Sequence, residues 1–395
     1  MLTALTNDGK PVCLIHCRTK NELLNYKRYS FYCPQCREKV ILKTGIYKIP
    51  HFAHQPLSNC VSSSEPESEI HLQGKIDLYS WLSKRGMDIE MEKYLPRIKQ
   101  RPDLLVKRNG RVYAFEFQCS SIPVKEMISR SSGYASCDII PIWILGGEPY
   151  QKKISFTENV FQISDFQWSF TQYNITQGMH FYSYSPISKK LNILSHITPL
   201  STRKVLAHQT SVPLSQLEFP FQFPAKEYLK INHEYWYTER KKWLQNKIIY
   251  TKNFKDPFLQ STYYNGHSPL LLSPLIGIPV NFMAVCKSHP VVWQYYIWSD
   301  GIMYLTAGDE FTLSKIEGVF EKRVLAGDIE VRIFPILKIN FQRQMIYHYL
   351  KLLSQFGYIN EIRIGKYVMN KSLPIPNNIE DVVRQEQEIG SSLLK

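Results

Sequence analysis

A chain of 395 residues with 44% hydrophobic and 13% aromatic content is globular, and too long for one ordinary core, so two or three domains are expected. Its 48 Lys and Arg against 34 Asp and Glu leave a formal charge of +14, which favours a polyanionic partner, either nucleic acid or an anionic membrane surface. Residues 1–20 contain no unbroken apolar run of signal-peptide length, and the apolar stretch Pro269 to Val285 is interrupted by Pro274, Gly277 and Pro279. Secretion and a membrane span are therefore set aside, a cytoplasmic location is expected, and 269–285 reads as buried irregular structure.

Five of the eight cysteines fall in the first 60 residues, a clustering that suits metal binding better than disulfides in a chain of this length. Val12 to Cys17 alternates as a strand with Cys13, Ile15 and Cys17 on one face, where burial is expected and His16 nearby leaves a metal role open. Cys33-Pro34-Gln35-Cys36 is a CxxC knuckle, followed by strand-like Lys39 to Lys43 and Gly45 to Ile49, then by His51-Phe52-Ala53-His54 and Cys60. Structural zinc takes four tetrahedral N or S ligands, and a tight pair followed by a second pair after a hairpin is how small zinc modules are built. Cys33, Cys36, His54 and Cys60 are the expected ligands, with His51 as the substitute for one of the last two.

Ser64-Glu65-Pro66-Glu67 has the form of a capping-box helix start, and Gly86 stops the helix. Glu69, Leu72, Ile76, Tyr79 and Ser83 form one stripe along it, so Glu69 is expected to point into the domain. His71 and Lys75, one turn apart on the neighbouring stripe, are placed to reach a phosphate. Met87 to Glu92 alternates as a half-buried strand.

Asn109-Gly110 lies between two apolar runs, a strong two-residue hairpin signal because a type I′ turn needs positive φ at both central residues. Counting outward from Arg108 opposite Arg111 puts Asp103 opposite Glu116. The pleat then carries Asp103, Glu116 and Gln118 on one face, and Leu104, Val106, Tyr113, Phe115 and Phe117 on the buried other. Facing carboxylates about 5 Å apart at Cβ repel unless a cation separates them, and a divalent metal resolves that conflict. Ser120 or Ser121 is expected to cap a helix with Pro123 in its first turn, carrying Arg130 and ending near Tyr134. Ile139 to Leu145 reads as a fully buried strand.

Residues 151–395 say less. Lys226 to Lys247 mixes Tyr and Trp with Lys and Arg, which suits a nucleic-acid groove but also an ordinary packed helix. Gln344 to Phe356 is an amphipathic helix closed by Gly357, and the segment from Ser372 reads as a loose tail.

The stretches CPQC with HFAH, ESEIHLQGK, RPDLL, and FEFQCSSIPVKEMISR followed by Gly-Tyr, in helix, three strands, helix, strand order, resemble the PD-(D/E)xK nuclease superfamily, and more narrowly the competence protein CoiA family. The resemblance implies an α/β, restriction-endonuclease-like αβββαβ core over 63–150, an N-terminal zinc-finger-like module over 1–62, and a mainly α-helical region over 151–395. It implies a competence-associated protein acting on incoming DNA, single-stranded or branched, during natural transformation and homologous recombination, alongside recombination proteins. By position, Asp103, Glu116 and Glu69 would hold Mg²⁺ or Mn²⁺ for phosphodiester hydrolysis, with zinc structural. Gln118 stands where many relatives carry a catalytic lysine, and Lys75 from the helix or Lys107 on the hairpin is the migrated substitute. His71, Lys75, Arg101, Lys107 and Arg130 are the expected DNA contacts. Without an effective cation the same fold would serve as a weak or inactive DNA-binding accessory factor for recombinase loading or strand pairing.

Overall fold

Alternating side chains in the first 54 residues build a five-stranded antiparallel sheet: β1 (Thr3–Thr6), β2 (Pro11–Cys13), a helix α1 (Lys20–Tyr26), then β3 (Phe31–Tyr32), β4 (Lys39–Lys43) and β5 (His51–His54), in the order β2-β1-β3-β4-β5. The computed structural model describes residues 1–17, 19–45, 48–55, 60, 67–147, 159–224, 232–251, 255–337 and 340–393. Ser64 to Pro66 of the expected helix start and Lys226 to Lys230 of the basic-aromatic segment lie outside the described residues. The inner face of this first sheet carries Phe31, Val40 and Phe52, packed with Leu14, Cys33 and Cys60. The strand expected over Val12 to Cys17 ends at Cys13, and a 3₁₀ turn, Leu14–His16, takes over.

The next six elements are α2 (Glu69–Ser83), β6 (Asp88–Met91), β7 (Leu104–Arg108), β8 (Arg111–Gln118), α3 (Val124–Ala135) and β9 (Ile139–Gly146). Asn109 and Gly110 both take positive φ, 48° and 73°, and Arg108 pairs with Arg111 as the turn chemistry requires. β6, β7 and β8 are antiparallel neighbours, while β9 runs parallel to β8. The strands β8 and β9 are covered on both sides. Leu72, Leu78 and Leu82 of α2 pack on Leu104, Val106, Phe115, Phe117 and Ile144, and Tyr134 of α3 packs on Leu105, Ala114 and Ile139. Gly74 is what lets α2 lie so close: a Cβ there would sit 1.9 Å from the Phe117 ring. α3 starts one turn later than its serines suggest. Pro123 occupies the N-cap and offers no side-chain cap.

The sheet does not end at residue 150. β10 (Val160–Gln162), a short helix α4 (Asp165–Trp168), β11 (Gln172–Asn174), β12 (Gly178–Ser185), β13 (Lys190–Pro199) and β14 (Lys204–Pro213) follow, and β12 pairs parallel to β9. One sheet of nine strands results, ordered β10-β14-β13-β12-β9-β8-β7-β6 with β11 beside β12. The sheet therefore runs past the expected boundary at 150, and the mainly helical part begins only after β14. Sequence periodicity missed the central strands β12 and β13 because they are buried along nearly their whole length, the polar His180, Ser183, Ser185, Asn192 and Ser195 included.

The C-terminal part is α5 (His233–Tyr250), α6 (Pro257–Tyr264), α7 (Pro290–Tyr296), β15 (Glu310–Thr312), α8 (Leu313–Leu325), α9 (Gln342–Gln355), β16 (Ile359–Arg363), β17 (Lys366–Met369) and α10 (Ile379–Leu393), with a small sheet β15-β17-β16. The apolar stretch 269–285 is buried and irregular, with two 3₁₀ turns. No helix among the described residues is long and apolar enough to cross a membrane. The presumed tail folds as α10, whose Glu386 lies 3.7 Å from Arg240 of α5. Arg240 is buried, with its guanidinium on the carbonyls of Leu272, Ser273 and Ile276, so this basic residue of the aromatic helix holds the core together.

Candidate functional site

Asp103 sits at the bend that enters β7, where the chain leaves the ladder and its carboxylate is free to turn toward α2. One oxygen accepts the Phe117 N–H at 2.9 Å and lies 3.4 Å from His71 Nε2, and the other lies 3.7 Å from Lys75 Nζ. Burial alone would raise its pKa. His71 and Lys75 outweigh that and hold the carboxyl well below the ordinary aspartate range.

Lys75 is 0% exposed, and its ammonium is gripped by Glu67 at 2.8 Å and Glu92 at 2.5 Å. Those two carboxylates, with Asp103, hold it charged against the pull of burial. Glu92 is in turn held by the chain's first residues: the N–H groups of Leu2 and Thr3 and the Thr3 hydroxyl all donate to it, at 2.9 to 3.0 Å. Its own N–H donates to the Asp103 carbonyl at 2.9 Å. Glu92 thus joins the N-terminal sheet, the buried lysine and the start of β7 through one side chain and one amide.

Glu116 lies in the register position opposite Asp103, one pair beyond Leu104 and Phe115, but a different helix holds it. Its carboxylate accepts from the Tyr134 hydroxyl and pairs with Arg130, both on α3. The Arg130 guanidinium also lies 5.3 Å from the Trp143 ring centre. At 1% exposure, burial pushes Glu116 up to about 7, with the charge of Asp103 adding to that and Arg130 opposing it. Asp103 and Glu116 therefore hold facing register positions at one end of β7 and β8, but the expected common face is not kept: the Asp103 carboxylate, freed at the strand end, turns to α2, and that of Glu116 stays with α3.

Other expected residues are placed differently. Glu69 is exposed at the head of α2; the acid that turns inward is Glu67, two residues earlier and outside the helix, where a helical stripe has no say. Gln118 turns its amide to Ser120, donating to the carbonyl at 3.0 Å and the hydroxyl at 3.2 Å. Of the expected DNA contacts, His71, Lys75 and Arg130 are engaged with the acids just described, and Arg101 points a guanidinium nitrogen at the Met1 sulfur, 2.8 Å away. Lys107 stands half exposed on the hairpin beside Asp88 and Glu90. Glu92 was missed because Met87 to Glu92 alternates as if it were solvent-facing. It lies just past the last strand residue, at a φ of 48°, and its side chain turns back inside.

The second constellation is in the N-terminal sheet. Ligand atoms of Cys33, Cys36, His54 and Cys60 all lie within 4.8 Å of one another, the one such group of three or more His, Cys, Asp or Glu among the described residues. The knuckle has Arg37 N–H donating to the Cys33 carbonyl at 3.0 Å, with Arg37 at positive φ. His54 pairs in register with Val40 of the inner face, whereas His51, three residues away on the same strand, falls on the outer face and bonds the Ile49 carbonyl. Burial, with the neighbouring sulfurs of Cys60 and Cys33, pushes the Cys36 thiol up to about 12. Burial likewise keeps His54 neutral to lower pH. Three sulfurs and one neutral imidazole at this spacing are a tetrahedral zinc donor set.

A mixed sheet beside an N-terminal Cys/His cluster whose spacing is compatible with zinc fits a nuclease-like domain with a small N-terminal module. Family models agree: residues 67–227 match the competence protein CoiA nuclease-like domain, 15–63 the CoiA N-terminal domain and 231–383 the CoiA C-terminal domain. The chain is 24% identical over 364 residues to Competence protein CoiA of Bacillus subtilis (strain 168), covering 91% of this chain and 95% of that one. No solved structure matches it. The chain belongs to the CoiA competence protein family.

Proposed function

We propose that this protein processes incoming DNA during natural transformation and homologous recombination, in the cytoplasm, by Mg²⁺- or Mn²⁺-dependent phosphodiester hydrolysis. The observation that supports the reading is that Asp103 and Glu116 take facing register positions at the end of β7 and β8, in the αβββαβ order of α2 to β9. Their carboxylate oxygens are hard donors of the kind Mg²⁺ takes. When bound, the ion would activate water and neutralise charge on the scissile phosphate. Asp103, already ionised, offers a ready ligand. Glu116 must lose its proton and exchange Arg130 for the ion. Glu67, already inside the site, is better placed than Glu69 to act as a third acid. Lys75 supplies the positive charge that Gln118 lacks, setting the ionisation of Asp103 while too deeply buried to touch a phosphate itself.

One observation favours the second reading, an accessory factor that binds DNA and assists recombinase loading or strand pairing: each of these carboxylates already has a protein cation, Lys75 or Arg130, beside it. Labelled single-stranded, duplex and junction DNA incubated with each ion separates the two. Hydrolysis predicts metal-dependent cuts that Asp103→Asn and Glu116→Gln abolish while binding persists. Binding by all three proteins without cleavage in either ion would discard hydrolysis and leave the accessory role.

A further inference from the structure

We infer that the outer face of the N-terminal sheet is the surface that grips the nucleic-acid backbone, an inference that rests on the proposed DNA-processing role. Strand alternation divides this sheet cleanly. Phe31, Val40, Phe52 and the metal-set His54 point inward, so their neighbours Tyr32, Lys39, Ile41, Lys43 and His51 share the other side. Lys39 and Lys43 are exposed, and between them Ile41 keeps 45% of its surface in solvent. Tyr32 lies opposite Lys39 in register. Arg37, just before β4, and Lys48, just before β5, are exposed as well.

Positive charge is in excess there, although Glu38 stands between Arg37 and Lys39. Residues 1–62 hold nine Lys and Arg against three acids, whereas residues 63–150 hold twelve of each. Among the described residues, Arg37, Lys39, Lys43 and Lys48 form no ion pair with any carboxylate, in contrast to Lys75, Arg130 and Lys107 around the acidic site. Two lysines roughly 13 Å apart along one strand, with an apolar and an aromatic side chain beside them, offer phosphate contacts and base contacts together. That combination fits single-stranded nucleic acid. Cys33 and Cys36 lie in the turn that leads into β4 and His54 on the neighbouring β5, so metal binding would stiffen the strand that presents these lysines.

The test is fluorescence anisotropy of a labelled oligothymidylate with the full-length chain, across a salt series. Lys39→Glu/Lys43→Glu is compared with wild type and with Lys315→Glu/Lys322→Glu, an equal charge change on exposed residues of α8. The β4 variant is expected to bind at least about ten-fold more weakly, with the slope of log affinity against log salt shallower by about 1.4, since each single-strand phosphate contact contributes about 0.7. The α8 variant should match wild type. Zinc content and melting temperature equal to wild type show that the β4 variant is folded. If wild type binds and the β4 variant binds equally well with the same slope, this inference falls while the DNA-processing role stands. If wild type binds no oligonucleotide, the role itself falls. Loss of binding to phosphatidylserine vesicles in the β4 variant, with oligonucleotide binding intact, would make the face a membrane surface and overturn the inference.

Discussion

Replacing Lys75 by methionine is expected to destabilise the fold by about 3–5 kcal/mol, the usual cost of removing one partner from a buried ion pair. Methionine matches the lysine stem in length, so the loss reports on charge more than on a cavity. It leaves Glu67 and Glu92 facing each other without the ammonium that now lies 2.8 Å and 2.5 Å from them. The pH dependence has a definite sign. Glu67, Glu92 and Asp103 have folded pKa values held below their ordinary 4.5, 4.5 and 3.8, so their contribution is present above those values and lost as pH falls. Urea unfolding of wild type should show stability declining below about pH 4.5. In Lys75→Met the carboxylates protonate more readily, so the gap between the two proteins should close as the solution is acidified. Equal stability at pH 7 would show that Lys75 does not bind the cluster together.

Cys33→Ser should lose the bound zinc, for which wild type should return about one ion per chain by metal analysis. Structural zinc contributes on the order of 10–16 kcal/mol of binding free energy to small modules, more than a sheet as small as β1–β5 can replace. The N-terminal module is therefore expected to melt at low temperature or on chelation. The damage should spread, because Leu2 and Thr3 of that module hold Glu92, which holds Lys75. Cys13→Ser is the control. Cys13 lies outside the ligand set, and burial pushes its thiol up to about 11. Zinc retained in Cys33→Ser, or lost equally in Cys13→Ser, would contradict the assignment.

Local chemistry made some of this readable in advance and left the rest out of reach. The Asn109-Gly110 turn fixes its register within ten residues, so the opposition of Asp103 and Glu116 needed nothing beyond the hairpin. The CxxC knuckle was equally legible, but choosing His54 over His51 took the register of β5 against β4. Partners brought in from far away were not readable. Glu92 is positioned by amides some 90 residues earlier, Arg130 reaches Glu116 from another helix, and Glu67 turns inward from a non-helical residue. Strands β12 and β13, buried among the C-terminal helices and α2, bury polar and apolar residues alike, so no solvent-facing side marks them as strands.

The seat for a divalent ion is tested most directly by calorimetric titration of Mn²⁺ into the zinc-loaded chain above pH 7, where Glu116 is mostly ionised. One added ion per chain, weakened by Glu116→Gln and abolished by Asp103→Asn, is the predicted result. An isotherm unchanged by either substitution, or no binding by wild type, would contradict it.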